Sequence, residues 1–232
     1  MANGAREEIL AKLKRVERGE AAPRPPVPVL NEPALSADGL IERFTENLTL
    51  QTGVVHRVAD PAAALETLTE IARSEGWTAV AIAEDDVLAP LDLAAWGRTC
   101  GVRVLKAADF DDLDAFKDAV FDEVQAGITG VDWAIAETGT FALVHDERQP
   151  RLLSLAPILH VAVVPVERIL AVYEQAVERI VAARGGLPAH MTLITGPSMT
   201  ADIQATPFKG MHGPRRVIAL LIGSAGTASG GQ

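Results

Sequence analysis

Residues 61–83 read PAAALETLTEIARSEGWTAVAIA, and this stretch decides the fold. Pro61 suits the first turn of a helix, where its missing N–H is no loss. Gly76 suits the position just past the last turn, so the pattern predicts a helix over 61–74. Thr78 to Ala83 is then a short run with apolar residues on both faces, a strand that must be covered from both sides. A helix feeding such a strand is the repeating unit of a parallel sheet between layers of helices.

The same alternation continues outward. Downstream, a short helix over 91–96 precedes a strand over 102–105. A helix over 111–125 has Phe116, Val120 and Val124 on one face and Gly127 as its stop. Residues 133–144 are strand-like throughout, broken at Thr138-Gly139, and 159–164 is another continuous apolar strand. A helix over 167–184 ends at Gly185-Gly186, and strands over 192–195 and 217–222 close the domain. Upstream lie a helix over 40–48 and a strand over 54–58. The expected class is α/β with a mostly parallel sheet. Four regions are expected: an amphipathic helix in 1–20, with Ile9, Leu10, Leu13 and Val16 at helical spacing; a proline-rich spacer over 21–33; the α/β domain over 34–223; and a flexible tail over 224–232. The first helix reads equally as a docking arm or as a helix folded back on its own domain. No internal repeat is present.

Composition narrows the function. With 48% hydrophobic and 4% aromatic residues, the core must be built mostly from Ala, Val, Leu and Ile. Against 31 acidic residues stand 21 basic ones, a net charge of −10, which argues against nucleic acid and anionic membrane surfaces as partners. The single cysteine, Cys100, makes no disulfide and no cysteine-rich metal or iron–sulfur cradle. No apolar run approaches the ~20 residues of a membrane span, and the first twenty residues lack a secretory core, so a cytoplasmic protein with no cofactor of its own is expected.

The Gly-x-Gly-x-x-Gly, Gly-Lys-Ser/Thr and Gly-x-Ser-x-Gly signatures are absent. The acids Asp109, Asp111, Asp112 and Asp114 lack the turning glycine and closing glutamate of a calcium loop and read as a helix start. Three other segments carry candidate chemistry. In the first, strand alternation places Glu137 in register with Trp133, Ile135, Phe141 and Leu143, beside the break at Thr138, Gly139 and Thr140. A carboxylate there is either aimed into a cleft as nucleophile or general base, or is a solvated turn residue. In the second, Gly196 and Pro197 end a strand, and Ser198, Thr200 and Asp202 follow in a polar loop. They either hold an anionic ligand or cap a short helix before Pro207. In the third, His212 stands beside Gly210 and Gly213, in the most site-like surroundings of the five histidines. Glu137, the loop from Ser198 to Asp202, and His212 are expected to converge on one cleft, provided the chain after Pro214 folds so as to bring them together.

Taken together, Ala136-Glu137-Thr138-Gly139-Thr140, Thr195-Gly196-Pro197-Ser198 with Thr200-Ala201-Asp202-Ile203, and Gly210-Met211-His212-Gly213-Pro214 resemble the lactate utilisation protein C family of stand-alone LUD domains. The resemblance implies a Rossmann-like three-layer sandwich of the sugar-phosphate isomerase and CoA transferase type. It also implies a subunit of a multi-protein system that oxidises L-lactate to pyruvate, with iron–sulfur clusters in the partner proteins and a small carboxylate or other anion as ligand. Glu137 is then the analogue of the glutamate that carries the acyl group in CoA transferases. A self-sufficient enzyme acting on a CoA ester or sugar phosphate, and a non-catalytic assembly subunit, are the alternatives.

Overall fold

A computed structural model describes residues 3–15, 33–200, 208–209 and 212–223. Nearly all of the proline-rich spacer and the tail after 223 lie outside the described residues. The chain divides into two compact units, Met1–Asn31 and Glu32–Gln232. In the first, helix α1 (Asn3–Lys14) leaves Ile9, Leu10 and Leu13 exposed and pairs Lys12 with Glu8 one turn away.

The second unit begins with α2 (Ala37–Leu50), β1 (Val54–Val58), α3 (Pro61–Glu75), β2 (Ala79–Ile82), α4 (Leu93–Cys100) and β3 (Arg103–Leu105). It continues with α5 (Leu113–Asp122), β4 (Ala126–Gly130), β5 (Trp133–Ile135), β6 (Thr140–Val144), α6 (Leu152–Leu155) and β7 (Leu159–Pro165). The last elements are β8 (Ile169–Leu170), α7 (Tyr173–Arg184), β9 (Met191–Ile194), β10 (Met199–Thr200), β11 (Phe208–Lys209) and β12 (Arg216–Ile222). Local chemistry sets the boundaries. Ser36, Asp60, Asp92 and Asp112 each accept a backbone N–H three residues on, at the starts of α2, α3, α4 and α5. The acidic cluster around Asp112 is thus a helix start. Gly76 ends α3 at φ +66°.

Among the described residues, six strands form one wholly parallel sheet in the order β1-β12-β7-β4-β2-β3. Its register puts Val80, Ile128, Val161 and Ile218 on one face, with α3 and α4. The other face carries Ala162, Val164, Val217, Ala219 and Leu221 against Phe44 and Leu48 of α2 and against Phe141 and Leu143 of a second sheet. Each such fully buried Leu, Val or Phe contributes about 1.5–3 kcal/mol. The second sheet, ordered β8-β5-β6-β9, is antiparallel except where β5 meets β8. Its outer side packs Ala142 and Val144 on Ile180 of α7. The α/β class and mostly parallel sheet expected from the sequence are present.

Three elements differ from the sequence reading. The helix over 111–125 stops at Asp122, and Gly127, read as its stop, lies within β4, a strand in the middle of the parallel sheet. Small residues are required there: a Cβ on Gly127 would stand 1.9 Å from the Leu153 carbonyl oxygen of α6, and one on Gly130 would stand 2.2 Å from Asp85 Oδ1. The helix over 167–184 begins only at Tyr173, because a 3-10 turn and the short strand β8 occupy its first residues. The helix expected after Ser198 is replaced at its start by β10, which pairs antiparallel with β11; residues 201–207 lie outside the described residues.

Strand order also creates a crevice. From β2 the chain moves outward to β3 through α4, then returns through α5 to β4 on the other side of β2. Gly97 of α4 packs on Val104, on the face that Val80 shares, whereas α5 adjoins α6, which covers Gly127 on the opposite face. The chain leaves β2 toward α4 on one face and leaves β4 toward β5 of the second sheet on the other, which opens a gap at the carboxyl ends of β2 and β4, where open α/β sheets bind ligands.

Candidate functional site

The motif residues gather at the opposite end, where the parallel strands begin. Glu137 sits on the exposed β5–β6 turn, and its Oε1 accepts the N–H of Tyr173 at 2.9 Å. Tyr173 is the first residue of α7, whose own N-cap, Val172, makes no side-chain cap. Asn47 of α2 donates to the carbonyls of Ala136 and Glu137 at 2.8 and 2.9 Å. The hydroxyls of Thr138, Thr140 and Thr195 form a chain, at 2.7 and 2.9 Å. Gly139, at φ +65°, lies against the backbone of α2: a Cβ would stand 2.3 Å from Leu48 N. Gly196 similarly abuts the Gln51 carbonyl. Ser198 donates its hydroxyl to the His212 carbonyl and its N–H to the Pro214 carbonyl.

These residues therefore hold backbone to backbone, joining the small sheet, α2 and the start of β12. The His212 side chain is exposed and, with Gly213, lines an open cavity of about 510 Å³ beside Phe121, Leu155 and Ile158; Glu137 is not among its lining residues. Thr200 lies on β10, and Asp202 is outside the described residues. The burial that alternation suggests for Glu137 is relieved by the four-residue turn, which releases it from the apolar stripe. Glu137→Ala is expected to cost about 1 kcal/mol through the lost α7 cap, with Glu137→Gln closer to wild type because its amide oxygen still accepts. Urea denaturation of the three proteins measures the difference.

The crevice at the other end holds a cleft of about 370 Å³. Four loops and one helix end meet there: Asp85 and Asp86 after β2, Gly130 to Trp133 after β4, Asp146 to Gln149 after β6, Arg168 after β7 and Arg184 at the end of α7. Asp85 fastens two of these walls. Its Oδ1 accepts Val87 N–H and Leu88 N–H, and its Oδ2 accepts Gly130 N–H at 2.8 Å. Gln149 Nε2 donates to the Gly130 carbonyl, and Arg168 Nη1 donates to the Val131 carbonyl at 3.1 Å. His145 supports the same wall from behind. Its Nδ1 donates to the Gln149 carbonyl, which leaves Nε2 to accept from the Thr192 hydroxyl. Burial lowers the pKa of His145, so the neutral ring is favoured.

Charge in the cleft is arranged rather than cancelled. Arg148 pairs with Asp86 at 3.3 Å and Arg184 with Asp146 at 3.4 Å, both partly exposed contacts of small energetic worth. Among the described residues Arg168 has no carboxylate at ion-pair distance. Asp132 is half-buried; its Oδ2 accepts Val144 N–H at 2.8 Å, and its Oδ1 has no hydrogen bond among the described residues. Burial pushes the Asp132 carboxyl upward; the Val144 N–H and the guanidiniums of Arg184 and Arg168 oppose the rise, and Asp85 adds to it. Such an arrangement can hold an anion on its guanidiniums and accept a hydrogen bond at Asp132.

Sequence reasoning missed this cleft because its residues share no motif. The available signal was Gly130-Val131-Asp132 following Ala126-Gly-Ile-Thr: read as a strand end, it would have placed Asp132 at the carboxyl edge of the sheet.

Comparison with known proteins gives the same fold and points to one family. A protein from Deinococcus radiodurans named lactate utilization protein C is 32% identical over 227 residues, 94% of this chain and 96% of that one. The Neisseria meningitidis uncharacterized protein NMB1437 is 38% identical over 111 residues, so that the alignment spans 48% of each. A crystal structure of a DUF162 family protein from Deinococcus radiodurans superimposes with a TM-score of 0.58 at 26% identity, covering 82% of this chain and 99% of that one. The family model for the LUD domain matches residues 41–222, which take in both sheets and the cleft. The chain belongs to the LUD domain family.

Proposed function

We propose that this protein is the carboxylate-binding subunit of a lactate-utilisation system, holding its small anionic ligand in the cleft between β2 and β4. Oxidation of L-lactate to pyruvate then draws on iron–sulfur clusters carried by partner proteins. The observation that carries this reading is Arg168: a half-buried guanidinium, fixed by the Val131 carbonyl, lining a cleft and in no ion pair among the described residues. A carboxylate is its natural bidentate partner. The relatives named for lactate utilisation supply the substrate. The donor set supports the division of labour: the single thiol, Cys100, is partly buried against the Thr69 hydroxyl, and one thiol cannot cradle a cluster.

The test is L-lactate-dependent dye reduction by the chain alone and with candidate iron–sulfur partners. Activity is expected only with the partners. In the reconstituted system Arg168→Gln is expected to weaken the dependence on lactate by about 10- to 100-fold, the worth of a hydrogen-bonded charge pair, with its melting temperature near wild type. Full turnover by the chain alone would instead favour a self-sufficient enzyme. An unaltered response in Arg168→Gln would move the ligand elsewhere.

A further inference from the structure

We infer that Asp132 makes the cleft selective for 2-hydroxy acids over 2-oxo acids, by accepting a hydrogen bond from the ligand hydroxyl while Arg168 and Arg184 hold the ligand carboxylate. The inference rests on the anion-binding reading of the cleft and deepens it, because it assigns the ligand's second functional group. The geometry points to a slot between opposite charges. Arg168 and Arg184 both act on the Asp132 carboxylate, yet neither ion-pairs with it. Asp132 Oδ2 is spent on Val144 N–H, which fixes the side chain and leaves Oδ1 with no hydrogen bond among the described residues. Arg168 is fixed in turn by Val131, the residue before Asp132. Donor and acceptor are thus anchored at adjacent residues of one loop, Val131 and Asp132, and both line the cleft, an arrangement that suits a molecule with an anion at one end and a hydroxyl donor at the next carbon.

A carboxylate oxygen accepts and does not donate. It therefore rewards the hydroxyl of lactate and opposes the carbonyl oxygen of pyruvate, whose lone pairs would face its own. An acid with neither group, such as propionate, leaves Oδ1 without a partner. Discrimination of this kind comes from a polar group left unpaired or faced by its like, and it exceeds what shape alone achieves between ligands of equal size.

Isothermal titration of the full chain with L-lactate, pyruvate and propionate at pH 7.5 tests this, using wild type, Asp132→Asn and Arg168→Gln. Wild type is expected to bind lactate about tenfold more tightly than pyruvate or propionate, the range of a hydrogen bond to a charged group. Asp132→Asn keeps an oxygen for Val144 N–H but turns a donor toward the cleft. It is expected to remove the lactate preference or invert it toward pyruvate, with the unfolding midpoint little changed. Arg168→Gln is expected to weaken all three acids by a similar factor and so preserve the ratio, which separates the two roles. Equal wild-type affinity for lactate and pyruvate, or an unchanged ratio in Asp132→Asn, overturns the inference and leaves the anion site standing. Failure of wild type to bind any of the three overturns the anion site, and the inference with it.

Discussion

Asp85→Ala is expected to lower stability by about 3–5 kcal/mol, because three backbone N–H groups lose a charged acceptor at once. Val87 N–H and Leu88 N–H are held at 2.9 and 3.0 Å by Oδ1, and Gly130 N–H at 2.8 Å by Oδ2. Gly130 is buried at the end of β4, in the middle of the parallel sheet, where its N–H has few alternative acceptors. Asparagine should not rescue the site. Its single oxygen serves one side of the bridge, while its amide turns a donor against the other side's N–H. For a domain of this size the loss corresponds to roughly 10 °C in melting temperature. Asp86→Ala, which removes only the partly exposed pair with Arg148, should change stability by less than about 1 kcal/mol. Guanidinium denaturation of the three variants checks the contrast. Asp85→Asn within about 1 kcal/mol of wild type would show that the β2–β4 joint is held by packing and not by this carboxylate.

The same joint explains what the sequence made legible and what it did not. Helices α3 and α5 were readable because their signals are local: a capping Asp, a proline in the first turn or an apolar stripe each act within a few residues. Strands β2, β7 and β12 were readable because burial on both faces leaves an unbroken apolar run. Strand β4 was not, since its glycines answer to Leu153 and Asp85, neighbours distant in sequence, and glycine in isolation reads as a break. Missing β4 hid the crevice, because β2 and β4 form it together. The cleft's arginines at 148, 168 and 184 come from separate loops and helix ends, so no spacing announces them. Glu137 and Ser198 stood out as polar residues among apolar or glycine neighbours, which is also how residues that satisfy stray backbone groups stand out. Both demands put hydrogen-bonding side chains where apolar ones would be expected; only the partners distinguish them.

His160 should make the protein acid-sensitive well above the carboxylate range. It lies on β7, fully buried, with Nε2 2.9 Å from the Thr129 hydroxyl, the Phe141 ring edge-on beside it, and no partner for Nδ1 among the described residues. Burial, with a smaller push from His145, lowers its pKa from 6.5 to about 3. Between those two values the unfolded chain takes up a proton that the native chain refuses. The unfolded state therefore binds more protons, and native stability falls as pH falls, by about 1.4 kcal/mol per pH unit below pH 6.5. Lowering the pH from 6 to 4 should thus cost roughly 2–3 kcal/mol from this one ring. His145, also lowered by burial, adds in the same direction, whereas Asp132, raised by burial, opposes it at lower pH. Comparison with His160→Gln cancels both. Glutamine retains a donor and an acceptor for Thr129 and takes up no proton in this range, but it gives up the ring's packing against Phe141, so the variant is expected to be less stable than wild type at pH 7. Its deficit should then shrink steadily toward pH 4. Urea midpoints at half-unit steps measure the difference, and a stability gap that stays constant across that interval would show that His160 is protonated alike in the folded and unfolded chains.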